Sequence, residues 1–381
     1  MINRKLFLPE HEQFRDAVGK FLDTEVVPFY EQWEADGHVD PSLWQKAGEQ
    51  GFLCPNVTEE YGGVGVDYRY NTIINEEVHR RGLTGIGWSV HSDMVVPYFY
   101  FNGSEHIKQK YLPSCITGET VCAVAMTEPG AGSDLQAIKT SAVLDGDEYV
   151  INGSKTFISN GHLANLYVVV CKTDMALGAK GISLILVESD TPGFSRGANL
   201  NKLGMKAQDT AELFFNDVRV PKENLIGEEG KGFHYLMKEL ATERLTVAVE
   251  ALAAAKGAFN HTVEYVKERK AFGKAIAEFQ NTQFKLAELD AQITTMQVYL
   301  DRCVELLIAK ELSAVDAAKA KLMATELLGR VTDEGVQLHG GYGYMWEYPI
   351  TRAYADARVK RIVGGSSEIM KIIIARDVLR D

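Results

Sequence analysis

The apolar positions along the chain change their period twice. From Pro9 to about Tyr30, residues Phe14, Val18, Phe21, Leu22 and Val26 recur at helical spacing. Ser42 to Gly51 fits a second helix, with Asp40 or Ser42 as its N-cap and Pro41 near the first turn. Tyr61-Gly62-Gly63-Val64-Gly65 reads as a loop, and helices resume over Tyr70–Arg81, Ser89–Asn102 and Glu105–Leu112. Residues 1–120 are therefore predicted to form a helical domain.

At about Thr120 the pattern becomes short and β-rich. Val121–Ala125, Ser141–Leu144, Tyr149–Ile151, Thr156–Ile158, Leu166–Cys171, Ile182–Val187, Ala211–Phe215 and Val218–Val220 read as strands. Asp145-Gly146, Asn152-Gly153, Asn160-Gly161 and Pro192-Gly193 supply the turns. Strands at this spacing predict a central β barrel or sandwich over residues 121–232, closed by Pro221 and the Gly227–Gly232 loop. From Phe233 the helical period returns and persists. One very long helix toward Arg269, then Phe284–Leu312, Ala314–Val336 and Ile369–Leu379, predict a four-helix bundle over residues 233–381. The expected fold is multi-domain α+β.

Composition narrows the function classes. Of 381 residues, 46% are hydrophobic and 24% charged, as in ordinary globular proteins. The net charge of −12, with no basic tract, argues against nucleic acid or an anionic membrane as partner. Cys54, Cys115, Cys122, Cys171 and Cys303 are scattered, odd in number and in no metal spacing, so a reducing compartment and no metal site are expected. The first ten residues hold too short an apolar run for a signal peptide, and no run approaches the ~18 apolar residues of a membrane span. A cytoplasmic location is expected, or the mitochondrial matrix for a processed eukaryotic chain.

Four stretches carry candidate chemistry. Ala125-Met-Thr-Glu-Pro-Gly-Ala-Gly-Ser-Asp134 follows a strand, and its glycines expose N–H groups where a phosphate or ring edge could approach. An ordinary turn reads equally well, and no G-x-G-x-x-G accompanies it. In Asn152-Gly-Ser-Lys-Thr-Phe-Ile-Ser-Asn160, Phe157 and Ser159 share a strand face, suited to stacking on a planar heterocycle or to half-burial in a core. Arg269-Lys-Ala-Phe-Gly-Lys274, with Phe279-Gln280 after it, either satisfies a helix C-terminus or clamps a diphosphate. Gln337-Leu-His-Gly-Gly-Tyr-Gly343 and Arg361-Ile-Val-Gly-Gly-Ser-Ser-Glu368 place paired glycines where N–H groups face an anion or polarised oxygen. Helix capping explains the serines there but not the double glycine.

In this order, together with Gly204–Pro221, these signatures make the chain resemble the acyl-CoA dehydrogenase family over nearly its whole length. Ala207–Phe215 and Tyr342–Pro349 are most similar to the long-chain branch. The resemblance implies an α domain, a β domain and an α bundle, a homotetramer, and FAD between β domain and bundle. Met126 and Thr127 would meet the pyrimidine side of the flavin. Ser133 would lie near the diphosphate and the acyl-CoA. Phe157 stands where the family usually has Trp beside the flavin, and Ser159 would approach N5. Arg269, Phe272, Gln280, Gln337 and Gly341 would hold the FAD of a neighbouring subunit. Gly132, Ile158, Gly340, Ser366 and Glu368 complete the implied cofactor site.

The family's reaction removes an α-proton from an acyl thioester while a β-hydride passes to the flavin, with electrons going on to an electron-transferring flavoprotein. Most members keep their base just before the Gly-Thr/Ser-Ser motif. That position here is Gly364, which has no side chain to take a proton. In the long-chain and isovaleryl branches the base is a Glu on the first bundle helix, and the matching residue is Glu243 in Glu239-Leu-Ala-Thr-Glu-Arg-Leu245. Gly364 and Gly365 would contribute backbone to the thioester, Arg244 would contact the CoA side, and His234 and Tyr235 would approach the thioester arm. The expected activity is α,β-dehydrogenation of a medium-chain, long-chain or branched acyl-CoA. A flavin oxidase or monooxygenase on the same scaffold, and a non-catalytic acyl-CoA-binding protein, are the alternatives. The Ile86–Tyr100 region and the first bundle helix would floor the acyl pocket.

Overall fold

The computed structural model describes residues 3–380. Its first third is helical: α1 (Pro9–Glu25), α2 (Tyr30–Asp36), α3 (Ser42–Glu49), α4 (Tyr68–Arg80), α5 (Val96–Asn102) and α6 (Glu105–Thr117). Asp67 caps α4 by accepting from Arg69 N, and Ser104 caps α6 by accepting from Ile107 N. The single helix expected over Ser89–Asn102 is instead two. Val90–Val95 winds as a π-helix before α5 begins. The buried Asp93 carboxylate inside that turn accepts from Asn71 (2.6 Å) and Asn75 (2.7 Å) of α4. The wider turn keeps both Asp93 oxygens hydrogen-bonded, and a sequence period cannot announce it.

One seven-stranded sheet forms the middle of the chain: β1 (Cys122–Ala125), β2 (Ser141–Asp145), β3 (Glu148–Ser159), β4 (Leu166–Lys172), β5 (Ile182–Glu188), β6 (Phe194–Arg196) and β7 (Thr210–Pro221). Its order is β1-β4-β2-β3-β7-β6, with β5 antiparallel on the other side of β4. Strand β4 is buried at every position because both its faces are covered. Tyr167, Val169 and Cys171 pack toward one core, and Leu166, Val168 and Val170 toward another. Tyr149–Ile151 and Thr156–Ile158 join into one strand, β3, and Ala211–Phe215 and Val218–Val220 join into β7. Their pairing slips between Ile151 and Gly153 and again between Lys155 and Ile158. Each slip breaks the alternation by which a strand is recognised.

The last third holds α7 (Gly232–Glu268), a two-residue hairpin β8 (Lys270–Ala271) and β9 (Lys274–Ala275), α8 (Gln280–Ile308), α9 (Ala314–His339), α10 (Pro349–Lys360) and α11 (Ser367–Val378). Helix α10 packs on α7 and α9 as the fourth bundle member, and α11 docks on α9. The sequence period did not announce α10, which Pro349 starts from its first turn. Ala248, Ala251, Ala255 and Ala258 of α7 share a core with Ala320 and Ala324 of α9, so the two backbones approach closely. Gly257 of α7 faces α4: a Cβ there would lie 2.3 Å from the Arg80 carbonyl oxygen. Helix α4 can rest on α7 only because that side chain is absent.

Candidate active site

The chain leaves β1 at Ala125 and turns back at once. Glu128 and Ala131 exchange both backbone hydrogen bonds, which closes Glu-Pro-Gly-Ala as a tight turn. Lys155 of β3 holds this turn from beneath. Its fully buried ammonium donates to the Met126 carbonyl (3.0 Å), the Val170 carbonyl (2.6 Å) and Glu128 Oε1 (2.8 Å). Glu128 also accepts from Lys139 N (2.6 Å) and Thr140 N (3.0 Å), and Thr156 N donates to the Thr127 carbonyl (2.9 Å). A buried ion pair with these extra donors is fully satisfied. It brings Met126 and Thr127 against the bulged part of β3.

At that bulge Phe157 takes a left-handed φ of 59° and stands 69% exposed. Ile158 is buried and Ser159 half-buried, so Phe157 and Ser159 share the outer face. Phe157 is therefore not a core residue. A left-handed φ at a bulky residue is strained and persists only when its surroundings impose it. Nothing lies within 4 Å of where a Cβ would sit at Gly130 or Gly132, and Ser133 is exposed beside them. An exposed aromatic face, a half-buried hydroxyl and an open glycine loop fit the flavin ring and phosphorylated tail of FAD.

A second group of implied cofactor residues lies elsewhere. Arg269 follows α7 with its guanidinium over the Tyr342 ring (5.5 Å), and Gln280 begins α8. Gln337, Gly340 and Gly341 are exposed, and no side chain fills the space beside either glycine. Phe272 sits at the hairpin tip with a left-handed φ of 51° and is 95% exposed. Among the described residues no hydrogen bond joins this cluster to the Met126–Ser133 loop or to Phe157–Ser159.

Glu243 lies on α7 and is only 6% exposed. Tyr98 of α5, itself fully buried, donates its hydroxyl to Glu243 Oε1. Burial pushes the Glu243 carboxyl up to about 7, with the charge of Glu239 acting the same way; the Tyr98 hydrogen bond and Arg244 pull it back. Arg244 is also buried, and its Nε has no hydrogen-bond partner. Gly364 has a φ of 65°, and a Cβ there would lie 3.6 Å from Val247. Val247 is one helical turn beyond Glu243, so the Gly364–Gly365 turn and Glu243 border the same stretch of α7.

Lys321 of α9 has no exposed surface and donates to the Gly365 carbonyl (2.8 Å), fixing that turn from behind. Burial lowers its ammonium to about 8. Ser366 caps α11 through Ile369 N (3.4 Å), and Glu368 is exposed in the first turn. Tyr235 accepts from Glu228 N (3.1 Å) and lies over Gly227, while His234 is exposed. Both are roughly 12 Å or more along α7 from Glu243, at 1.5 Å per residue. The structure thus joins Glu243, Arg244 and the Gly364 turn, and leaves His234 and Tyr235 apart from them. Tyr98, the Lys155–Glu128 pair and Lys321 were not foreseen as site residues. Only the Ile86–Tyr100 pocket-floor expectation touched any of them.

Comparisons with known proteins agree with this layout. Sequence models of the acyl-CoA dehydrogenase N-terminal, middle and C-terminal domains match residues 8–119, 123–218 and 230–379. The pig (Sus scrofa) long-chain specific acyl-CoA dehydrogenase, mitochondrial, is 49% identical over 99% of this chain and 88% of its own. A crystal structure of an acyl-CoA dehydrogenase from Geobacillus kaustophilus is 51% identical, covers 99% of this chain and 100% of that one, and superposes with a TM-score of 0.97. A glutaryl-CoA dehydrogenase from Mycobacterium smegmatis, solved in complex with FADH2, is 26% identical, covers 100% and 97% of the two chains, and has a TM-score of 0.93. With three domain models covering most of its length and half its residues shared with such relatives, the chain belongs to the acyl-CoA dehydrogenase family, whose members are FAD-dependent oxidoreductases.

Proposed function

We propose that the protein oxidises a medium-chain, long-chain or branched acyl-CoA to its trans-2-enoyl-CoA, with Glu243 as the base that removes the α-proton. The observation that carries this reading is a buried carboxylate raised to about 7, one helical turn along α7 from Val247, the side chain that the Gly364 turn lies against. A base with that value is ionised in useful amount near neutral pH and still has affinity for a proton. The position where most relatives of the sequence pattern keep a base is glycine, so Glu243 is the carboxylate left to act.

The chain's own residues divide the work. Met126, Thr127, Phe157 and Ser159 would hold the ring, and Gly132 and Ser133 the phosphorylated part. FAD supplies an acceptor for the β-hydride when bound. The Gly364 N–H would donate to the thioester carbonyl and stabilise the negative charge that develops there. Arg244, buried with a free Nε, would face the CoA side. Helices α5 and α7 exclude water from Glu243, which raises its basicity. Arg269, Phe272, Gln280, Gln337 and Gly341 would serve the FAD of a neighbouring subunit in a homotetramer. An electron-transferring flavoprotein would take the electrons onward.

Replacing Glu243 by Gln tests the reading. The variant should purify yellow with a full complement of FAD and lose more than a thousandfold in turnover, within the range for a general base. Wild-type turnover in that variant would refute the assignment. Slow reaction of the wild type with O₂, against fast reduction of an electron-transferring flavoprotein, would separate the dehydrogenase from an oxidase.

A further inference from the structure

The Glu243 carboxylate makes one hydrogen bond among the described residues, and Tyr98 donates it. That leaves Oε2 for the incoming proton. We propose that Tyr98 is the positioning residue of the catalytic base: it fixes the Glu243 rotamer from the floor of the acyl pocket and favours its ionised form. This rests on Glu243 being the base.

Three observations support the assignment. Tyr98 is fully buried on α5, so its ring is held by packing and its hydroxyl has a fixed position. Burial and the neighbouring Glu243 charge push the phenol well above its ordinary range, so it keeps its proton and remains a donor. The titratable groups facing Glu243 are Tyr98 from α5, and Glu239 and Arg244 from its own helix. Of these, Tyr98 is the one hydrogen-bonded to it. Lys321 of α9 feels the charge of Arg244 instead.

The physical consequence has a definite sign. A phenol donates more strongly to a carboxylate than to a carboxylic acid. Tyr98 therefore opposes the upward push of burial on Glu243 and keeps more of it ionised near neutral pH. It also aims Oε2, since a long side chain free to rotate would spend little time at the α-carbon. Tyr98 neither gains nor loses a proton in the reaction.

Tyr98→Phe tests this in the FAD-loaded enzyme, since the ring and its packing are retained. The acid limb of kcat/KM should move up by about one pH unit, and kcat on the alkaline plateau should fall about tenfold, the size of one hydrogen bond to a charged group. KM should stay within about twofold. A second reading follows proton removal alone. A 3-thia-acyl-CoA has no β-hydride to give, and exchange of its α-protons with D₂O should show the same shift in its pH profile. FAD content and thermal midpoint equal to wild type confirm that the fold is intact.

An unmoved limb in both measurements overturns the proposal, whatever happens to the rate, because a mere pocket wall would change KM alone. The Glu243→Gln variant separates the two claims. If it stays active, the base reading fails and Tyr98 falls with it. If it is dead while Tyr98→Phe leaves the limb in place, only the Tyr98 role fails.

Discussion

Glu243 is held at a cost to the fold. Its carboxyl is raised to about 7 from an ordinary value of 4.5, so the folded protein binds that proton more tightly than the unfolded chain. The stabilising contribution of the protonated form is complete below pH ~4.5 and is lost as the pH rises through about 7. Above that the ionised carboxylate disfavours the folded state by roughly 3 kcal/mol, at 1.36 kcal/mol per pH unit. Glu243→Gln removes the titration but keeps an oxygen for the Tyr98 hydroxyl. The gap in stability between variant and wild type should therefore widen in the variant's favour, by up to about 3 kcal/mol, between pH 4 and pH 8. Thermal unfolding of both FAD-loaded proteins at the two pH values checks this. A gap that does not change with pH would mean that Glu243 is not desolvated. The same residue would then gain stability and lose activity on substitution, as expected where a buried charge serves chemistry.

At the scale of elements, the site depends on parts that sequence periodicity reads unequally. Helices α7, α8 and α9 were legible because their long apolar periods survive burial on several sides. The β3 bulge was not, since Phe157 breaks the alternation and then stands exposed where a strand face suggested a core. A strand lysine ordinarily reaches water, yet Lys155 is fully buried. Its partners lie at sequence positions 126, 128 and 170, and only the folded chain brings them together. Tyr98 was hidden for the same reason, as its partner is 145 residues away. Glu243 became a candidate through the family resemblance and the glycine at 364, since a lone Glu on a helix ordinarily faces water. Lys155→Met tests how far the pair organises this corner. Burial with three hydrogen bonds makes its loss expensive: about 3 kcal/mol of stability, as for a broken buried ion pair. The stranded Glu128 and the freed Met126–Thr127 turn should also weaken FAD retention at least tenfold, measured by dialysis and flavin absorbance. Full stability with weakened FAD would assign the pair to the cofactor alone, and the reverse would assign it to the fold.

At the scale of the whole molecule, the residues implied for one flavin are divided between two surfaces of the same chain. The Met126–Ser133 loop and Phe157 form one, and the hairpin tip with Arg269, Phe272 and Gln280 forms the other. Phe272 is the sharpest sign that the second surface has a partner. A phenylalanine 95% exposed in a left-handed conformation gains nothing from its own chain, and its nearest aromatic, Phe279, is 6.3 Å away edge-on. Phe284, Tyr342, Tyr344 and Met345 of the same bundle are exposed as well. Exposed apolar side chains of this kind favour association with another subunit. Phe272→Asp removes no contact that stabilises the isolated chain, so the monomer should fold with wild-type circular dichroism. In the proposed homotetramer, a charge buried at the subunit contact should disfavour assembly by several kcal/mol. Sedimentation should show smaller species, and FAD should be released on dilution, because the site proposed to be shared between subunits would be open on one side. Added FAD would not restore the assembly if the apolar contact carries it, but would if the cofactor is the bridge. A variant that sediments and holds FAD as the wild type does would remove Phe272 from the interface and leave its exposure without a partner.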